Sequence, residues 1–213
     1  MKVAITIRTL IYTVLVGFSL GVQAEGYFVS GDFDVNKFPN WSDVADNADY
    51  GQGAASSSTS QSTVSFGLGI NVGQWVNQIF GWEIGYNDFG SVTGYTTACC
   101  NSYGSVVGNS YKYAATASHA EVLVGSSSGL FGKVGLYSAS TQLTIPTLTI
   151  FQLRNSGIYF GIGGRYFSDD SEHFAFRLGI DVYPKVKFTD ISDFTRTTSE
   201  TITQIYFGED YIF

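Results

Sequence analysis

Between residues 63 and 72 the chain alternates without a break. Val64, Phe66, Leu68, Ile70 and Val72 stand on one face, and Thr63, Ser65, Gly67, Gly69 and Asn71 on the other. A period of two is the signature of a strand with unlike faces. The pattern recurs about eight times, the large apolar residues keep to one face, and the last repeat ends at Phe213. Such a chain is expected to close into a barrel.

Composition decides which way the barrel faces. Charged residues make up 14% of the chain and aromatics 16%, with 25 glycines, against roughly 25% charge in an ordinary soluble protein. No stretch beyond the first residues reaches the roughly 18 apolar residues that a membrane helix needs. A β-barrel is the other architecture that satisfies its backbone within lipid. An eight-stranded barrel has an interior only just filled by side chains, so the Gly and Ser comb is expected inside and the Phe, Trp and Tyr comb outside. A soluble ligand-binding barrel would reverse this and leave its exterior to Gly and Ser.

The first residues read separately. Lys2 and Arg8 precede the apolar run Leu10 to Val22, and Val22-Gln23-Ala24 suits a signal peptidase, so residues 1–24 are expected to be a secretory signal and 25–213 one barrel domain. Without Lys2 and Arg8, 9 basic residues face 18 acids, and the formal charge moves from −7 to −9. So acidic an exported chain is not expected to bind nucleic acid.

Expected strands are Tyr27 to Val35, Thr63 to Val72, Ile79 to Asn87, Thr116 to Gly125, Leu130 to Ser140, Gly157 to Phe167, His173 to Tyr183 and Thr201 to Phe213. The connections run long, short, long, short, which is the outer-membrane rhythm of long outer loops and short periplasmic turns. The expected fold is therefore an all-β, eight-stranded antiparallel up-and-down transmembrane barrel, with both termini periplasmic. Glu209 interrupts the outward comb of the last strand.

Two short stretches resemble a known family. Gly81-Trp82-Glu83-Ile84-Gly85-Tyr86-Asn87-Asp88-Phe89-Gly90 is similar to the third strand of the OmpA-like transmembrane barrels, and Arg177-Leu178 falls where their seventh strand carries an inward Arg. The ending Tyr211-Ile212-Phe213 resembles the terminal aromatic signal read by the barrel-assembly machinery, with Tyr211 and Phe213 as its aromatic positions. Two departures stand out. The best-known members continue into a peptidoglycan-binding domain, whereas this sequence ends with the barrel, so a cell-wall tether is not expected. Where the family's sixth strand usually brings an inward acid, this chain has Arg165.

Glu83, Lys133 and Arg177 each fall about four residues into a strand, on the small-polar face, and are expected to meet near the barrel middle. Glu121, Arg165 and Asp181 are further partners, since an unpaired buried charge costs several kcal/mol. The resemblance implies that Glu83 and Arg177 form a plug or gate. A network that merely fills and fixes the core accounts for the same residues.

Other chemistry is thinly represented. Of the two histidines, His173 falls at a turn and His119 is followed by Ala120 and Glu121, so neither belongs to a Ser-His-acid arrangement. Cys99 and Cys100 are adjacent, which is no zinc spacing, though a vicinal disulfide is conceivable in an oxidising compartment. Asp43, Asp46 and Asp49 match no calcium loop, and Ala54 to Gln61 reads as a mobile serine-rich loop. No cofactor or metal is expected. The functional expectation is a non-enzymatic structural or surface-interaction protein of the outer membrane, in contact with its lipid and lipopolysaccharide, with loops open to an extracellular ligand. The alternative is a narrow, low-conductance pore.

Overall fold

The computed structural model describes residues 26–42, 56–99, 107–146, 150–167, 173–191 and 194–213. Nine strands follow in order: β1 (Gly26–Lys37), β2 (Ser56–Gln61), β3 (Val64–Trp75), β4 (Phe80–Cys99), β5 (Val107–Gly125), β6 (Leu130–Thr144), β7 (Phe151–Phe167), β8 (Phe174–Thr189) and β9 (Thr197–Ile212). Eight of them close antiparallel around one axis, β1-β3-β4-β5-β6-β7-β8-β9, and β9 returns to β1 from Phe28↔Ile212 to Lys37↔Thr203. β2 stands outside this ring and pairs with the far end of β4.

The faces of the wall are the reverse of a soluble protein's. Leu130 is 82% exposed and Phe66 66%, while Asp34, Glu83 and Arg177 are buried. The outward teeth include Phe66, Leu68, Ile70 and Val72 on β3, Leu130, Val134 and Leu136 on β6, and Phe174, Phe176, Leu178 and Ile180 on β8. Four or five teeth per strand, at two residues per tooth and tilted about 40°, make a band of roughly 20–25 Å, the height of a lipid-facing belt. Each face expected from the alternation stands as read, including β5, where Ala120, Val122 and Val124 turn outward and His119, Glu121 and Leu123 inward.

At one end the connections are tight. Asn77 Oδ1 accepts from the backbone of Ile79 and Phe80 at 2.8 Å between β3 and β4, and Ser126 N donates to Leu130 O between β5 and β6.

At the other end the strands overrun the belt, and this corrects the expected lengths. β4 continues past Asn87 to Cys99, β5 begins at Val107, β7 at Phe151 and β9 at Thr197, while β8 ends at Thr189. The strands thus rise above the belt as a collar. Outward residues there are polar, as at Ser118, Ser138 and Ser156, which share one rung level with Tyr86. The serine tract is a second correction: Ser56–Gln61 form β2 and take over from β3 as the partner of β4.

That handover needs a bulge. Gly90 adopts φ +72°, the register slips between Asp88 and Ser91, and the inward phase moves from Asn87 and Phe89 to Val92, Gly94 and Thr96. β8 has the matching break at Pro184 and Lys185, where Lys185 adopts φ 59°. β7 and β8 pair only up to Phe160↔Val182. Above that rung the side chain of Asn155 spans the seam, donating to Lys185 O and accepting from Lys187 N, both at 3.0 Å.

Residues 1–24, the expected signal, lie outside the described residues, as do the acidic positions 43–49. Cys99 ends β4; its side chain and Cys100 likewise lie outside what is described.

Candidate functional site: a charged belt between two apolar plugs

The lumen is filled in three layers. At the tight-turn end Phe28, Trp75, Leu123 and Phe131 form an apolar floor, with the Trp75 and Phe131 rings edge to face at 5.8 Å. At the collar end a larger cluster includes Phe89, Tyr113, Tyr159, Tyr183, Phe188 and Ile202.

Phe38 and Trp41, from the segment that leaves β1, close the upper cluster. Trp41 packs 4.1 Å from the ring of Tyr113 and 4.9 Å from that of Phe188. β2 is what holds this segment in. Gln61 accepts from Trp41 N and donates to Pro39 O, both at 2.9 Å. Tyr113 donates to Thr189 O at 2.7 Å, and burial pushes its phenol well above the ordinary value, which keeps it a donor.

Between floor and plug lies the charge. Asp32, Asp34, Glu83, Glu121, Asp181 and Asp210 face inward with Lys133, Arg165, Arg177 and His119, none more than 6% exposed. All sit on inward teeth of strands whose outward teeth touch lipid, so the alternation that builds the wall also delivers them to the axis.

Arg177 is the hub. Its Nη1 and Nη2 donate to the two oxygens of Glu83 at 2.8 and 3.1 Å, and Nη1 also reaches Ser30 Oγ at 2.8 Å. Its Nε lies 3.3 Å from Asp32 Oδ1, and Nη1 3.4 Å from Asp210 Oδ1. Such a bidentate fork is the strong form of a charge-assisted contact.

The other two cations serve different acids. Arg165 Nε donates to Asp210 Oδ2, and its guanidinium lies 4.5 Å from the centre of the Phe28 ring, joining belt to floor. Lys133 Nζ donates to Asp181 Oδ2 at 3.0 Å and lies 3.7 Å from Glu121 Oε1. Tyr206 lies between the two central cations, with Lys133 4.1 Å and Arg177 5.0 Å from its ring. Asn87 joins the belt to the upper plug by donating to Tyr183 and Gln204.

The structure thus brings Glu83, Glu121, Lys133, Arg165, Arg177 and Asp181 into one layer, in two subgroups. Glu83 bonds to Arg177, while Lys133 turns away from both toward Asp181 and Glu121. Asp32 and Asp210, which complete the shell of Arg177, were not anticipated, although parity along β1 and β9 puts both inside. Tyr211 and Phe213 face outward at the end of β9, 41% and 70% exposed. His173 Nδ1 donates to Ile212 O, 3.0 Å away, and takes no part in the belt.

An apolar exterior, a closed antiparallel wall and an interior filled by apolar plugs and a belt of buried charges define a membrane-spanning barrel of the small outer-membrane type. Solved structures of that type share the fold. The outer membrane protein OprG from Pseudomonas aeruginosa superposes with a TM-score of 0.50 at 11% identity, over 90% of this chain and 99% of that one. Ail, the attachment invasion locus protein of Yersinia pestis, gives 0.47 at 9% identity, over 88% and 99%. The N-terminal β-barrel domain of Pseudomonas aeruginosa OprF gives 0.44 at 12%, over 90% and 100%. No protein-family model and no curated protein matches the sequence.

Proposed function

We propose that this chain is a non-enzymatic outer-membrane protein with a structural or surface-interaction role, its two termini periplasmic and its collar outside the cell. The observation that carries this reading is the layering of the lumen, an apolar floor and an apolar plug on either side of a belt whose cations are all paired. Among the described residues, packing of this kind stands across the lumen both above and below the belt, and conduction needs a continuous water path.

The collar is the working surface in this reading. β4 and β5 rise on the order of 25 Å beyond the lipid belt at strand rise and barrel tilt, and their outward residues are mostly hydroxylic, as at Thr93, Thr97, Ser110 and Ser118, with Lys112 and Asp88 among them. Lys37, Arg154 and Lys187 stand exposed just above the apolar band, where they suit the phosphates of lipopolysaccharide. An extracellular ligand would meet the collar rim. Tyr211 and Phe213 serve as the signal for the barrel-assembly machinery. His119 faces carboxylates inside the sealed lumen, away from lipid or solvent substrates, which supports a non-enzymatic role.

Planar-bilayer recording tests the reading. Purified barrel is expected to give no steps above background, and Arg177→Ala none either, because floor and plug remain. Reproducible ion-sized openings in the unaltered protein would favour the narrow pore with Glu83 and Arg177 as its gate.

A further inference from the structure

The belt does not balance. Among the described residues six buried carboxylates face three cations, and the three cations spend their direct contacts on Glu83, Asp32, Asp210 and Asp181. Asp34 and Glu121 are the two served worst, no oxygen of either receiving a hydrogen bond, and Glu121 is the one that stands beside further donor atoms. Lys133, 3.7 Å from Glu121, is beyond bonding distance. Glu121 also stands directly across the β4–β5 ladder from Glu83, so two carboxylates face each other.

His119 sits two residues before Glu121 on the same face of β5, opposite Gly85. The missing side chain of Gly85 makes a cradle: a Cβ there would lie 2.6 Å from His119 Nε2 and collide with Asn71 Oδ1. His119 Nδ1 and Asn71 Oδ1 have no hydrogen-bond partner, although both residues are more than nine-tenths buried. One donor atom from each of Glu83, His119 and Glu121 lies within 4.8 Å of the others. Buried polar atoms left without partners are costly, and four of them converge here on one side of the lumen.

We propose that Glu83, His119 and Glu121 bind one divalent transition-metal cation, of which Zn²⁺ is the simplest representative, inside the barrel wall at β4 and β5. An imidazole and two carboxylates form a donor set that suits such an ion. Ligands of a tetrahedral ion at about 2.0–2.2 Å stand roughly 3.4 Å apart, so the three side chains draw in by about an ångström. Glu83 can ligate while it holds Arg177, because each carboxylate oxygen has a second lone pair. Asn71 Oδ1, which shares the Gly85 cradle with His119, is a further donor on the same side. A dipositive ion here offsets most of the excess charge of the belt and removes the repulsion between Glu83 and Glu121. Since floor and plug seal the lumen, the ion enters as the barrel closes.

The test refolds the full barrel into detergent with and without added Zn²⁺, removes loose metal by chelation and gel filtration, and measures zinc by mass spectrometry. Folding is checked by heat-modifiable migration. One zinc per folded chain is expected, with an unfolding midpoint raised by several degrees relative to zinc-free protein. Glu121→Gln, which keeps shape and removes charge, and His119→Gln are each expected to lower retained zinc at least tenfold and abolish the midpoint shift while still folding. Retention well below one equivalent in the folded wild type overturns the proposal. So does equal retention in the Glu121→Gln/His119→Gln double variant, which would place the metal elsewhere.

Discussion

Arg177 and Glu83, 94 positions apart in the chain, meet through two parallel hydrogen bonds of 2.8 and 3.1 Å in the middle of the barrel. The pair joins β4 to β8 across the lumen, so it fixes the cross-section as well as the charge. Arg177→Met leaves Glu83, Asp32 and Asp210 facing one another, and breaking a buried ion pair in this way costs roughly 3–5 kcal/mol. The Glu83→Gln/Arg177→Met double variant is expected to be more stable than Arg177→Met alone. Urea unfolding in lipid vesicles measures both, and a double variant that loses the sum of the single losses would show that the two residues are not coupled.

Trp41 is the outer stopper, buried against Tyr113 and Phe188 and held by Gln61. Truncating a buried Trp to Ala costs about 3 kcal/mol or more, and Trp41→Ala is expected to destabilise the collar by that order. It is not expected to open a conducting path, because the charged belt and the floor of Phe28, Trp75, Leu123 and Phe131 lie beneath it. Bilayer recordings of Trp41→Ala that show ion-sized steps would assign the whole seal to this one side chain.

Much of this arrangement can be read from the residues, and its limits have physical causes. Within the belt, lipid outside and packed polar atoms inside give each strand a strong alternation, so every face was legible, even on β5 where the contrast is weakest. In the collar the contrast reverses: Tyr111, Tyr113 and Ala115 point inward while Lys112 faces water. The period is unchanged there, but the bulges at Gly90 and at Pro184–Lys185 shift its phase. The apolar alternation therefore stops where the membrane ends, while the strands continue. β2 has no apolar tooth at all, and its place is set by the vacant edge of β4.

For the site, height along each strand was legible by counting, and partner choice was not. Two inward charges at one level can bond to either neighbour across the lumen, and Tyr206 decides the matter here. Its ring separates Lys133 from Arg177, which sends Lys133 to Asp181. Glu209 interrupts the outward comb of β9 and so masks the phase there, although the parity that puts Phe213 outside puts Asp210 inside.

Asn155 closes the seam that β7 and β8 leave open above Phe160 and Val182. Asn155→Ala removes both bonds and leaves Lys185 O and Lys187 N to water, a loss of about 1–2 kcal/mol confined to the collar. Hydrogen exchange is expected to speed several-fold over residues 185–189, with the amides of Leu178 to Val182 unchanged. Uniform acceleration along β8 would mean that the seam supports the whole barrel.

Gly163 makes room for the ring that organises the belt. A Cβ at that position would run into the Tyr206 hydroxyl and lie 2.7 Å from the edge of Phe131. Inserting one methyl into so tight a place costs about 1–3 kcal/mol, so Gly163→Ala is expected to lower the urea midpoint measurably. The obstacle is mostly the hydroxyl, since the ring itself is anchored between Lys133 and Arg177. In a Tyr206→Phe background the same substitution should therefore cost about half as much, the coupling that a double-mutant cycle reads directly. An equal cost in both backgrounds would move the constraint from Tyr206 to Phe131, and with it the reason why β7 carries a glycine at the level of the belt.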